Sequence, residues 1–235
     1  MQLSNRLLAA AGMVTKGNIV ADVGCDHAYT SIYLCQENIS PRVIAMDVNK
    51  GPLKGAMEHV KQAGLTERID LRLSDGLAAL NPGEADSVLL CGMGGLLMIK
   101  ILSAYPETTA SMKELILQPQ SEIGEVRRYL HKQGYLITEE HMLKEDGKFY
   151  VMMCAVKTTE PESYDGDCDY LYGRLLLEEK SRVLLEFLDR EFRLRREVMT
   201  ALEGQQTENA RERRETLKKE FALIEEARLR INGKE

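Results

Sequence analysis

The 235-residue chain has no tryptophan and only 6% aromatic residues, which argues against a closed, aromatic-walled pocket around a small substrate. It has no apolar run approaching the roughly 18 residues of a membrane span and no charged-then-apolar leader, so neither spanning nor export is expected. A cytoplasmic protein is implied. Its five cysteines, Cys25, Cys35, Cys91, Cys154 and Cys168, include no C-x-x-C pair, which removes the signal of a disulfide framework or a zinc site. They are expected to be small core residues, and no metal is expected. A formal net charge of −6 excludes a uniformly basic surface, so any nucleic-acid contact must come from local basic patches. One further absence is the most informative. The stretch ADVGCDHAYTSIYL, residues 21–34, has the form of a first strand and its ligand loop, yet carries one glycine where a dinucleotide-binding loop has three.

What is present, up to about residue 157, is an alternation of short apolar runs with amphipathic stretches, the pattern of strands and helices around a parallel sheet. A leading helix is expected over residues 2–13, strands over 19–23, 42–47, 69–73, 87–91 and 114–118, and helices over 28–38, 50–63, 95–104 and 122–133. The run GYLITEEHMLKEDGKFYVMMCAV then reads as two strands around the turn KEDGK. Five strand–helix units closed by an antiparallel hairpin resemble the α/β core of class I methyltransferases, whereas a dinucleotide dehydrogenase normally continues with a sixth parallel strand. Residues 158–170 are polar and acidic and read as a linker.

From residue 171 the chain is rich in Leu, Glu, Arg and Lys, with Gly173, Gly204 and Gly233 its only glycines and no proline. Leu185, Leu188, Phe192, Met199 and Leu202 hold a three–four spacing with Arg195 in the seam, and Leu217, Phe221, Ile224 and Ile231 do so with Arg228. Two helices are implied, folding back on each other at EGQQTEN with Asn209 and Glu212 as the N-terminal cap of the second. The expected organisation is therefore residues 1–157 as the catalytic domain, 158–170 as a linker, and 171–235 as an antiparallel, coiled-coil-like helical hairpin.

The chemistry-bearing residues cluster at the expected strand ends. Asp26 follows Gly24 at the start of a helix, where its negative charge opposes a pyrophosphate but suits a cofactor bearing an ammonium and a sulfonium, as S-adenosylmethionine does. Asp47, in AMD, stands where an acidic residue commonly accepts from ribose hydroxyls, although a helix cap would use the same residue. Asp75 and Gly76, in LSDGL, follow the third strand. The fourth strand runs into CGMGG rather than an Asn- or Asp-Pro sequence, so backbone at Gly92, Gly94 and Gly95 would line the transfer site. That suits a nucleophile with its own lone pair, such as a ring nitrogen. Close packing of strand against helix would also call for glycine there.

In LSNRL, ADVGCDHAY, AMDVN, LSDGL, CGMGG, LQPQ and EDGKFY, in this order, the chain resembles the bacterial tRNA (adenine-N1) methyltransferases that modify adenine 22, the TrmK family. Cys25 stands where that family often has serine, and Gln120 where its motif has asparagine. The resemblance implies a Rossmann-like class I fold with a seven-stranded, mostly parallel sheet ending in a β-hairpin, S-adenosylmethionine as cofactor, tRNA as partner and a monomer. It implies that Gly24, Asp26 and His27 border the methionine moiety, Asp47 the ribose, and Asp75 and Gly76 the adenine. Gly92, Gly94 and Gly95, with Gln118 and Pro119, would border the target base, and Asp26 would also face the charge that develops on it.

Tyr29 is a candidate stacking partner, with a packed helix tyrosine as the alternative. Arg127 and Arg128, with Arg6, Lys16, Lys132, Lys144 and Lys148, are candidate tRNA contacts, as are Arg193, Arg196, Arg211, Arg213, Arg214, Lys218 and Lys219 in the tail. The tail cations alternate with glutamates, as they would on a solvated helix face. Two alternatives are a methyltransferase of small molecules, which would usually have more aromatic residues and no need of the helical tail, and a non-catalytic RNA-binding protein on the same fold, which would be expected to have lost some of Asp26, Asp47 and Asp75.

Overall fold

The computed structural model describes residues 3–160 and 162–233; the expected start of the first helix at Gln2 lies outside them. Two compact units divide the chain, Met1–Ser163 and Tyr164–Glu235.

The first unit runs α1 (Asn5–Gly12), β1 (Val20–Val23), α2 (Tyr29–Gln36), β2 (Val43–Asp47), α3 (Lys50–Gln62), β3 (Ile69–Leu73), β4 (Ser87–Met93), α4 (Gly95–Ala104), α5 (Pro106–Ala110), β5 (Glu114–Pro119), α6 (Ile123–Lys132), β6 (Tyr135–Glu145) and β7 (Lys148–Lys157). Its sheet has seven strands in the order β3-β2-β1-β4-β5-β7-β6, with the first five parallel and β7 antiparallel to both of its neighbours. VADV in β1 and VIAMD in β2 are buried throughout, because helices cover both faces of a parallel sheet. The chain moves outward from β1 to β3 and then returns to the other side of β1 as β4. This reversal opens a crevice at the C-terminal ends of β1 and β4, where ligands of such sheets bind.

Two local features depart from simple periodicity. Asp146 and Gly147 both take positive φ, 49° and 75°, and form the two-residue turn that fixes the β6–β7 register. β4 extends two residues beyond its expected end because a bulge between Cys91 and Met93 lets Met93 still pair with Pro119. Gly92 is thereby put out of the ladder, and bulges of this kind commonly re-aim a strand beside a site.

Arg127 is fully buried and donates to Glu140 at 2.7 Å. This corrects the expectation that Arg127 touches substrate: the helix period turns it onto β6, where a buried charge needs a partner and the Glu140 carboxyl supplies one.

In the second unit, α7 (Asp167–Tyr172), α8 (Arg174–Glu178), α9 (Arg182–Ala201) and α10 (Glu208–Asn232) follow. The expected linker ends early, at residue 163, since Tyr164 and Tyr170 are buried against each other and the Tyr170 hydroxyl accepts from the Tyr164 amide at 3.1 Å. The Thr207 side chain accepts from the Ala210 amide and so caps α10, in place of the expected Asn209 and Glu212. The pairs Asp189–Arg228, Arg195–Glu220 and Leu202–Arg214 run oppositely along α9 and α10, which makes the hairpin antiparallel. Both seam arginines are thus tied across the helices by carboxylates. Leu184, Leu188, Leu217, Ile224 and Ile231 fill the seam, with the Phe192 and Phe221 rings edge-to-face. Leu185 and Met199, expected inside, are half-buried.

Replacing Glu140 with alanine removes the carboxylate to which the buried Arg127 guanidinium donates. Urea titration should show a loss of about 3–5 kcal/mol; a loss below about 1 kcal/mol would mean that the pair is dispensable.

Candidate functional site

The loop from Gly24 to Ala28 leaves β1 with Gly24, Asp26 and Ala28 all at positive φ, 76°, 50° and 60°. Only glycine takes that conformation freely, and three such residues in five mark a loop whose shape is imposed by its surroundings. The restraint comes from β2. Met46 carbonyl accepts from the Gly24 and Cys25 amides at 2.8 and 3.0 Å, and Asp47 Oδ2 accepts from the Asp26 amide at 3.2 Å. Asp47 Oδ1 accepts from the Asn49 amide at 2.8 Å, and the Asp47 carbonyl accepts from the Ser74 amide at 2.9 Å. The ends of β1, β2 and β3 are therefore bound into one edge.

Three carboxylates stand on that edge with little to neutralise them. Asp26 is 71% exposed, with the His27 imidazole Nε2 3.7 Å from its carboxylate. Asp75 is exposed, and its side chain has no hydrogen bond or ion pair among the described residues. Asp47 is nearly buried and bonded only to amides. A fourth carboxyl, Asp22, lies inside β1, where Ser31 Oγ of α2 donates to it at 2.6 Å. Burial and the nearby Asp47 charge raise its pKa to about 6 against the Ser31 bond. Beside these acids, Val48 and Leu73 expose apolar side chains that a flat, uncharged ring would cover. The set fits a cofactor with cationic groups, a ribose and a purine, and it repels a pyrophosphate.

Across the crevice, Gln118 at the end of β5 is fully buried, and its Oε1 accepts from the bulged Gly92 amide at 3.1 Å and from Arg6 at 3.0 Å. Two donors on one oxygen fix the amide's orientation, and Nε2 is left buried with no partner. The Arg6 guanidinium also lies over the Tyr150 ring, and no carboxylate pairs with it among the described residues. The linkage of α1, β4 and β5 through Gln118 was not foreseen; LSNRL and LQPQ are 112 residues apart and only the sheet joins them.

The sequence-derived residues fall into two groups. Gly24, Asp26, Asp47, Asp75, Gly76, Gly92, Gly94, Gln118 and Pro119 lie on the C-terminal ends of the parallel strands or the turns that follow them. Others are engaged elsewhere. A Cβ on Gly95 would lie 2.5 Å from the Ser121 carbonyl, and its amide already donates there, so Gly95 serves close packing of α4 on the start of α6. His27 turns its ring toward α3, meeting Tyr29 and His59 at 5.7 Å each. Tyr29 stacks on His59 at 4.8 Å, so its ring already has an internal partner, the alternative reading for this residue. Arg128 faces Glu125 at 3.7 Å. All five cysteines are free, and burial pushes the Cys25 and Cys91 thiols up, so neither supplies a thiolate. Among the described residues no acidic, His or Cys group is arranged to hold a metal, and no helix is long and apolar enough to cross a membrane.

A Rossmann-like sheet closed by an antiparallel hairpin, with acids at the ends of β1 to β3, defines a class I methyltransferase fold. A family model described as TrmK, tRNA (adenine(22)-N(1))-methyltransferase, matches residues 20–226. The tRNA (adenine(22)-N(1))-methyltransferase of Bacillus subtilis (strain 168) is 35% identical over 189 residues, 79% of each chain. Among solved structures, an uncharacterized protein from Listeria monocytogenes serotype 4b superposes with a TM-score of 0.93 at 30% identity, covering 96% of this chain and 99% of that one. A Streptococcus pneumoniae relative, solved in complex with S-adenosyl-L-methionine, does so with a TM-score of 0.85 at 32% identity, covering 97% and 100%. The chain belongs to the TrmK family.

Asp22 gives a pH test of the site's acid-rich interior. Its folded pKa is raised, so it favours the folded state below about pH 4 and disfavours it progressively as pH rises through about 6. Asp22→Asn, which can still accept from Ser31, should therefore stabilise the ligand-free protein by about 3 kcal/mol at pH 8 and by little at pH 4. Melting curves with a constant difference at the two pH values would refute this.

Proposed function

We propose that this chain transfers the methyl group of S-adenosylmethionine to N1 of adenine 22 in tRNA, as a monomer in the cytoplasm. The observation that carries the reading is the row of under-neutralised carboxylates, Asp26, Asp47 and Asp75, on one sheet edge of a TrmK-family chain. The cofactor supplies an electrophilic methyl on a sulfonium. Asp26 with the Gly24 turn would hold its cationic methionine end, Asp47 would accept from the ribose hydroxyls, and Asp75 beside Gly76, Val48 and Leu73 would receive the adenine.

Neutral adenine N1 has a free lone pair, so no residue has to remove a proton. The chain's main task is alignment, which supplies about 7–11 kcal/mol in well-oriented reactions. Gln118 fixes the Gly92 bulge that borders the acceptor. Methylated adenine is cationic, and Asp26 stabilises that charge as it develops. Arg6, which meets no carboxylate among the described residues, binds RNA phosphate. In the second unit, Arg193, Arg196 and Lys219 are exposed and make no ion pair among the described residues, unlike Arg213 and Lys218, so they are the contacts we favour there. Arg214 instead closes the α9–α10 turn through the Leu202 and Gln205 carbonyls.

Incubation with labelled S-adenosylmethionine and unmodified tRNA should yield N1-methyladenosine at position 22; transfer to another position, or none, overturns the reading. Asp26→Ala should lower turnover at saturating cofactor by about 100-fold. Weaker cofactor binding with unchanged turnover would reduce Asp26 to a binding residue. Deleting residues 164–235 should abolish tRNA methylation while calorimetry still detects cofactor binding; full activity of the remainder would remove the RNA role from the helical unit.

A further inference from the structure

In the described part of Met1–Ser163, five large apolar side chains are exposed: Val48, Met57, Leu73, Leu96 and Leu97. Met57 lies on α3, while Val48 and Leu73 flank the carboxylates already assigned to the cofactor. Leu96 and Leu97, 60% and 48% exposed, stand alone in the first turn of α4, immediately after Gly94 and Gly95. Folding does not require them. Met98, Ile101 and Leu102 supply the buried face of α4, and Gly95 locks its start against the Ser121 carbonyl. Two adjacent exposed leucines at the exit of the loop bordering the acceptor site are an apolar feature that water alone would not select.

The chemistry of the acceptor says what would cover them. N1 lies on the Watson–Crick edge, so the adenine must leave its stack before N1 can reach the Gly92 bulge. The gap left behind is flat and apolar, and apolar side chains are what proteins insert between base steps. We propose that Leu96 and Leu97 form a wedge that enters the tRNA stack as the target adenine leaves it, and holds the opening. The proposal rests on the tRNA-methylation reading.

The test compares intact tRNA with the same tRNA carrying abasic residues on both sides of the target adenine, which removes the stack to be opened. Leu96→Ala/Leu97→Ala should lose about 100-fold in kcat/KM on intact tRNA but stay within about threefold of the unaltered protein on the abasic-flanked RNA. Leu96→Met/Leu97→Met, which keeps two long apolar side chains, should stay within about threefold on both. With 2-aminopurine in place of the target adenine, the unaltered protein should raise fluorescence on binding and the alanine variant should not. Unchanged activity on intact tRNA, equal loss on both RNAs, or weakened cofactor binding would each overturn the wedge. If the unaltered protein methylates neither RNA, the activity reading fails, and the 2-aminopurine signal, which needs no transfer, still decides the wedge.

Discussion

The Asp47 side chain and carbonyl tie three strand ends together, and the rest of the cofactor edge depends on that tie. Its carboxylate accepts from the amides of Asp26 and Asn49, and its carbonyl accepts from Ser74. Asp26 and Ala28 are held in left-handed conformations that a free loop would leave. The same bonds keep Asp26 and Asp47 close, with amides rather than cations to satisfy the buried acid. Asp22, pushed up by burial and by Asp47, registers that accumulation from inside the strand. An edge of this kind suits a cofactor that carries positive charge.

Across the crevice the restraint is of a different kind. The β4 bulge frees Gly92 from the ladder, and Gln118 recovers its amide while holding Arg6. A neutral side chain thus links the bulged Gly92 backbone to a guanidinium without quenching its charge. Acids gather at the ends of β1 to β3 and donors at the ends of β4 and β5. That separation suits a cationic cofactor on one side and an RNA acceptor on the other.

The helical unit uses its charges differently. Arg195 and Arg228 sit in the seam because Glu191, Glu220 and Asp189 meet them there. Such pairs add little to stability on balance, but they align two helices whose apolar seams alone would tolerate sliding. Arg193, Arg196 and Lys219 are exposed and make no ion pair among the described residues, local cations that the net charge of an acidic protein does not reveal.

The order of strands, the hairpin turn, the two long helices and the carboxylates after β1, β2 and β3 were legible in the sequence, because each is a local pattern: a run, a period, a turn pair or a motif at a strand end. Strand ends were read to within two residues, and the miss at β4 came from a bulge, which periodicity does not signal. The burial of Arg127, the stacking of Tyr29 on His59, the packing role of Gly95 and the cap at Thr207 were not legible. Each depends on a partner supplied by another element, or, for the cap, on which of several polar residues the turn brings into place. By itself, then, the sequence determined which chemistry the edge could hold, since acidic residues at strand ends oppose phosphate wherever the helices fall. Only the tertiary structure decided which cations are paired with carboxylates and which glycines serve close packing, because pairing and close approach are properties of neighbours in space.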